Sequence, residues 1–204
     1  MTNPSNLRDN HSVLVLDASV AINLLGTGQA ALLLQALGRT IIMDELAIKE
    51  IIFDPSNRGS GERAIAALVA AGLITRTRLS MHAYDLFLEL TGATPPDDLG
   101  DGEAATIATA MYSHAIPVID ERKARRIVAA RTPSTAVLHS IDLLACPAVV
   151  KSCDAHQLGE IVYAALRNAR MRVPDGCRMW VLGVVGLERA KHCPSLNSVL
   201  QKVR

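Results

Sequence analysis

The chain has 204 residues, half of them apolar and only 3% aromatic, with 21 Lys and Arg against 20 Asp and Glu. That length buries a sizeable core made of Ala, Val, Leu and Ile, which suits helices on a parallel sheet better than an aromatic-rich sandwich. A net charge of +1 excludes a nucleic-acid binder that works by overall charge, and no apolar run reaches the roughly 20 residues that span a bilayer.

The polar opening, MTNPSNLRDNHS, has no apolar stretch of the signal-peptide kind, so a cytoplasmic protein is expected. The apolar, β-branched run SVLVLDASV predicts a buried parallel strand ending on Asp17. From Leu24 to Leu37 the spacing is helical, broken at Gly26 to Gly28, and Gly38 stands where a helix-ending glycine belongs. TIIM (Thr40 to Met43) predicts a second strand and DELAIKEIIF a helix from Asp44. The turn-rich DPSNRGSG is a loop, followed by a small helix from Arg63 to Ala71 and an edge strand in LITRTRL. Met81 to Leu90 reads as a helix and TGATPPDDLGDG as irregular, with the next helix from about Glu103 to Ser113. IPVID predicts a strand, ERKARRIVAA a helix and TAVLHS a fifth strand. This alternation predicts an α/β domain over residues 10–145, a parallel sheet flanked by helices. Residues 146–204 have helical stretches around Gln157 to Arg170 and an apolar run at Met179 to Leu187. They read as a mainly helical C-terminal extension, packed on that domain or forming a small subdomain. Its cysteines, Cys146, Cys153, Cys177 and Cys193, lack paired C-x2-C spacing and read as reduced thiols.

In an open parallel sheet, ligands gather beyond the carboxyl ends of the strands. Two predicted strands end on aspartate, at Asp17 and Asp120; Glu103 lies near the start of the helix before the second, and Glu50 within the helix after TIIM. Carboxylates brought together raise one another's pKa unless a divalent cation neutralises them, and such hard oxygen ligands suit Mg²⁺ or Mn²⁺. That ion can activate water and stabilise charge on a phosphoryl oxygen. Each acid alone has a plainer reading. Asp17 can cap the next helix, Glu103 can favour an early helical position through the macrodipole, and Glu50 can sit on a solvated face beside Asp44 and Glu45. The pattern, rather than any member, points to a metal site. Behind Asp120, Arg122, Lys123, Arg125 and Arg126 open a helix against its dipole. With Ala124, Ile127 and Val128 facing the sheet, Arg122, Lys123 and Arg126 project outward as phosphate-binding groups.

LVLDASVAINLL, IIMDELAIKEI, LGDGEAATIATA and IPVIDERKARRIV resemble, in that order, the successive motifs of the PIN-domain family, in the form whose third motif begins Gly-Glu. The resemblance covers residues 12 to 145. It implies an α/β fold and a Mg²⁺- or Mn²⁺-dependent ribonuclease, in many bacterial members a VapC-like toxin held inactive by an antitoxin. Matched motif by motif, Asp17, Glu50, Glu103 and Asp120 would be the catalytic and metal-holding acids. Asp44 and Glu45 rival Glu50, Asp101 rivals Glu103, and Glu121 could supplement Asp120; Asp142 reads as a helix-start residue. Ser19 and Asn23 would orient a metal water or the substrate. RNA is the implied substrate, an antitoxin protein and a second copy of the chain are the implied partners, and no membrane is involved. Residues 146–204 would serve an antitoxin, a dimer interface or RNA. The alternative is a non-catalytic PIN-like module that binds RNA or protein. A phosphatase using Asp17 as nucleophile would want a second aspartate where Ser19 stands, and a dinucleotide site would need a third glycine after Gly28.

Overall fold

A computed structural model describes residues 3–203. Four short strands, β1 (Val13–Leu16), β2 (Thr40–Asp44), β3 (Thr75–Thr77) and β4 (Ile116–Val118), run parallel in the order β3-β2-β1-β4. Leu14 sits opposite Ile41 on one side and Ile116 on the other. The chain steps outward from β1 to β2 to β3, then returns past β1 to lay down β4. The strand order therefore reverses between β1 and β4, the place where such sheets open a crevice at their carboxyl ends.

Alternation along β1 feeds two layers. Leu14 and Leu16 join a core with α1 (Ala18–Gly26), α2 (Ala30–Leu37), α8 (Ser140–Leu144), α9 (Pro147–Ser152), α10 (Ala155–Asn168) and α11 (Arg178–Val185). Val15 instead meets Ala110 of α6 (Asp101–Tyr112). Four buried alanines in α6 (Ala104, Ala105, Ala108 and Ala110) leave short side chains between that helix and its neighbours. The remaining helices are α3 (Glu45–Lys49), α4 (Gly61–Ala70), α5 (Met81–Thr91), α7 (Arg122–Arg131), α12 (Leu187–Ala190) and α13 (Asn197–Val203). Helices α5, α6 and α7 share a second cluster around Phe87, Ile107 and Ile127. The first core is continuous from Leu14 to Leu196, so the helices that follow residue 145 and the sheet bury apolar surface against each other. No single helix among the described residues is long and apolar enough to cross a membrane.

One device recurs where strands give way to helices. Asp17, Asp44 and Glu121 each stand immediately before a helix and accept the backbone N–H two residues on. Two sequence expectations are corrected. The helix expected through DELAIKEIIF ends at Lys49, because Asp54 takes the Ser56 N–H and hydroxyl in a turn that folds Phe53 back against Ser60. The fifth strand shrinks to a single bridge, Leu138 with Val118. Leu138 donates to the Pro117 carbonyl at 3.0 Å and accepts the Ile119 N–H at 2.9 Å, Arg125 adds donors to the carbonyls of Ile119 at 3.1 Å and Leu138 at 2.9 Å, and α8 begins two residues later.

Candidate active site

Asp17 is the residue at which β1 turns into α1, and its Oδ2 accepts the Ser19 N–H at 3.2 Å together with the Ser19 hydroxyl. Helix capping accounts for that oxygen. Oδ1 is buried with no hydrogen-bond partner, on a residue 3% exposed. Burial pushes the carboxyl above its ordinary range; the Ser19 hydrogen bonds pull back, and the Asp120 charge adds to the rise. An orphaned acceptor of this kind costs free energy until something pairs with it.

Glu50 closes α3, and its Oε1 accepts the Gly102 N–H at 2.9 Å. That N–H lies in the first turn of α6, where free donors and the helix dipole favour an anion. The approach requires glycine, because a Cβ at position 102 would lie 2.5 Å from Oε1. Glu103 bends back to accept the Gly100 N–H at 3.4 Å, one half of a capping box whose other half glycine has no side chain to supply. Both glutamates are pushed up in pKa, first by burial. For Glu103 the Asp17 charge is the next cause; for Glu50 the Gly102 hydrogen bond opposes a rise to which Asp17 and Asp101 add. The rivals of Glu50 lie elsewhere. Asp44 caps α3 and leaves one oxygen buried and unpaired, but outside the cleft described below; Glu45 pairs with Arg76 at 3.0 Å and Arg78 at 2.8 Å.

Asp120, two residues beyond β4, is held from all sides. Its Oδ2 accepts the Asn23 amide at 2.7 Å and the Ser140 hydroxyl; its Oδ1 accepts the Ser140 N–H at 2.9 Å and faces His139 Nδ1 at 3.4 Å. The Asn23 amide also reaches the Ser140 hydroxyl at 3.0 Å, which closes a triangle. Burial alone would raise this carboxyl, but the bonds from His139 and Ser140 outweigh it and leave the pKa lowered. Asn23 thus faces Asp120, and Ser140, which the motifs did not mark, is its fixed partner. Asp142 lies outside the cleft, accepting the His139 and Asn6 N–H groups at 2.7 Å each; it starts α8, as the sequence suggests.

Asp17, Ser19, Asn23, Glu50, Glu103 and Asp120 line one cleft of about 510 Å³. Glu121 lines it as well while capping α7, and Arg170 and Arg172 enter its wall from the chain after α10. Among the described residues no three His, Cys, Asp or Glu side chains converge into a ready-made ligand set, so the acids surround a space rather than meet at a point. The donors fit a hard divalent cation that keeps several of its waters: an unpaired Asp17 oxygen and three carboxyls with raised pKa are what such a charge relieves. Of the three expected phosphate-binding groups, Lys123 is tied to Asp98 and Arg126 to Asp97. Arg122 is exposed, has no ion pair among the described residues, and lines an adjoining cleft.

Comparison with known proteins gives one result. A family model described as a PIN domain matches residues 13–139, and nothing among the curated proteins or the solved structures matches the chain. The matched span begins at the first residue of β1 and runs past β4, so it takes in all four acids and stops one residue short of Ser140. The chain belongs to the PIN-domain family, a nuclease-type fold whose members typically employ divalent metals.

Proposed function

We propose that the protein is a divalent-metal-dependent endoribonuclease, the toxin of a toxin–antitoxin pair. The observation that carries the reading is the buried, unpaired oxygen of Asp17 on a cleft it shares with Glu50, Glu103 and Asp120. Asp17, Glu50 and Glu103 would hold Mg²⁺ or Mn²⁺, directly or through water, with Asp120 supplying a fixed negative charge beside them. Such an ion, when bound, supplies positive charge against a phosphoryl oxygen and acidifies water. The chain's own groups do the rest. Ser19 locks the Asp17 rotamer through Oδ2, while Asn23 and Ser140 hold Asp120 still and the bonds from His139 and Ser140 keep it ionised. Glu103, whose carboxyl is pushed up by burial and by the Asp17 charge, completes the acidic wall that such an ion would neutralise. An antitoxin protein and a homodimer are the partners this reading carries. Because the acids do not close on a point, a non-catalytic module binding RNA or protein is the second reading.

Mn²⁺ calorimetry and cleavage of single-stranded RNA, run on wild type and Asp17→Asn, test the proposal. Both activities are expected to fall together in the variant, cleavage by at least about 100-fold, the scale of damage to a metal site. Full residual cleavage in Asp17→Asn defeats the assignment, and a well-folded wild type that binds no Mn²⁺ favours the second reading.

A further inference from the structure

A second cleft, of about 630 Å³, adjoins the acidic one, and Asp120 and Arg172 line both. Its character is opposite: the four arginines Arg122, Arg125, Arg172 and Arg178 outnumber Asp120 and Asp175. Two of those arginines come from residues 146–204, beyond the span the family model matches. The chain places them by a simple alternation. After α10 the run Arg170, Met171, Arg172, Val173 is irregular; Met171 (1% exposed) and Val173 (5% exposed) sink into the core, and Arg170 and Arg172, which alternate with them, stay exposed. The run is pinned through its backbone. The Met171 N–H reaches the Ala165 carbonyl at 3.2 Å, and the Met171 carbonyl accepts the Ser195 hydroxyl at 2.6 Å. Just before it, Ala169 packs so closely on α1 that a Cβ at Gly26 would lie 2.7 Å from the Ala169 Cβ.

Arg172 and Arg122 make no side-chain hydrogen bond or ion pair among the described residues, so the core and α7, rather than partners of their own, hold them at the cleft. Arg178 pairs with Asp175 at 2.8 Å and Ser198 at 2.6 Å, yet its Nε–H is buried and unpaired. Guanidinium groups gathered on one concavity repel until an anion sits among them, and their planar forks match phosphate.

We infer that this cleft holds backbone phosphate of the RNA beside the cleavage cleft, with Arg172 and Arg178 of the C-terminal extension and Arg122 of α7 as its ligands. The inference rests on the ribonuclease reading above. It gives the extension a task in substrate binding, and it moves the phosphate site from Lys123 and Arg126 to arginines distant in sequence.

The test is fluorescence anisotropy of a labelled, short single-stranded RNA of mixed sequence, titrated at several salt concentrations with the full chain carrying Asp17→Asn. Adding Arg172→Ala should weaken binding about tenfold, and Arg122→Ala/Arg172→Ala more. The slope of log K against log salt should become shallower by about 0.7 for each phosphate no longer neutralised, while Arg172→Lys restores part of the affinity. In the cutting wild-type background, Arg172→Ala should raise KM more than it lowers kcat. A folded double variant with unchanged affinity and slope overturns the inference, as does a polyglutamate peptide that outbinds RNA and loses affinity on the same substitutions. If wild type cuts no RNA while binding still depends on Arg172, the nuclease reading fails and the cleft stands. If it cuts and the double variant behaves as wild type, the cleft fails alone.

Discussion

Asp17 and Asp120 flank the same crevice with opposite consequences for stability. Asp17 is raised in pKa, so the native state holds its proton more tightly than the unfolded chain, and stability falls as pH climbs from the ordinary carboxylate range through the native pKa. Asp120 is lowered, so its contribution is present above the unfolded pKa and is lost as pH drops through the native one. In chelator-treated protein at neutral pH, Asp17→Asn should therefore gain on the order of 1 kcal/mol, since asparagine still caps a helix and carries no charge to bury. Asp120→Asn should lose about 1–3 kcal/mol, because the charge behind the bonds from Asn23, Ser140 and His139 is gone. Urea unfolding at neutral and mildly acidic pH measures both, and equal signs at neutral pH would refute the division of labour. Asp17 and Asp120 stood out in the sequence because each closes a predicted strand, and Glu103 because it opens a predicted helix, whereas Glu50, expected inside a longer helix, was singled out only by the family motif. Ser140 was not, because its bond to Asp120 spans 20 residues and no local pattern announces it.

The end of α3 and the start of α6 meet at Glu50 and Gly102, which are 52 residues apart. Alanine at 102 suits a helix better than glycine by roughly 0.5–1 kcal/mol, yet its Cβ would occupy the place of the Glu50 carboxylate. Gly102→Ala should accordingly keep or raise the melting temperature while weakening Mn²⁺ binding about tenfold, read by calorimetry. Unchanged binding would remove Glu50 from the site. Elements whose signal is local, such as the β-branched run of β1 and the alanine-rich α6, were readable from the chain alone. The early stop of α3 and the single-residue bridge at Leu138 were not, since a turn at Asp54 cuts the one short and the start of α8 at Ser140 the other.

Across the whole molecule, a formal charge of +1 conceals an acidic cleft beside a basic one, a separation that composition averages away. The shared core also fixes what can be cut from the chain. Deleting residues 146–204 would bare Leu24, Leu33 and their neighbours, which now sit in one cluster with Ile161 and Val181. The truncated protein should show no cooperative thermal transition and no near-ultraviolet dichroism; a sharp transition would mean that residues 1–145 fold alone. The alternation between Met171 and Val173 has a consequence for heredity. Mutations at the exposed Arg172 leave the buried core alone, whereas those at Met171 and Val173 weaken the fold itself. If the arginine cleft holds phosphate as inferred, descendants of this chain can retune its grip at Arg172 without touching the core, while Met171 and Val173 hold the run in place.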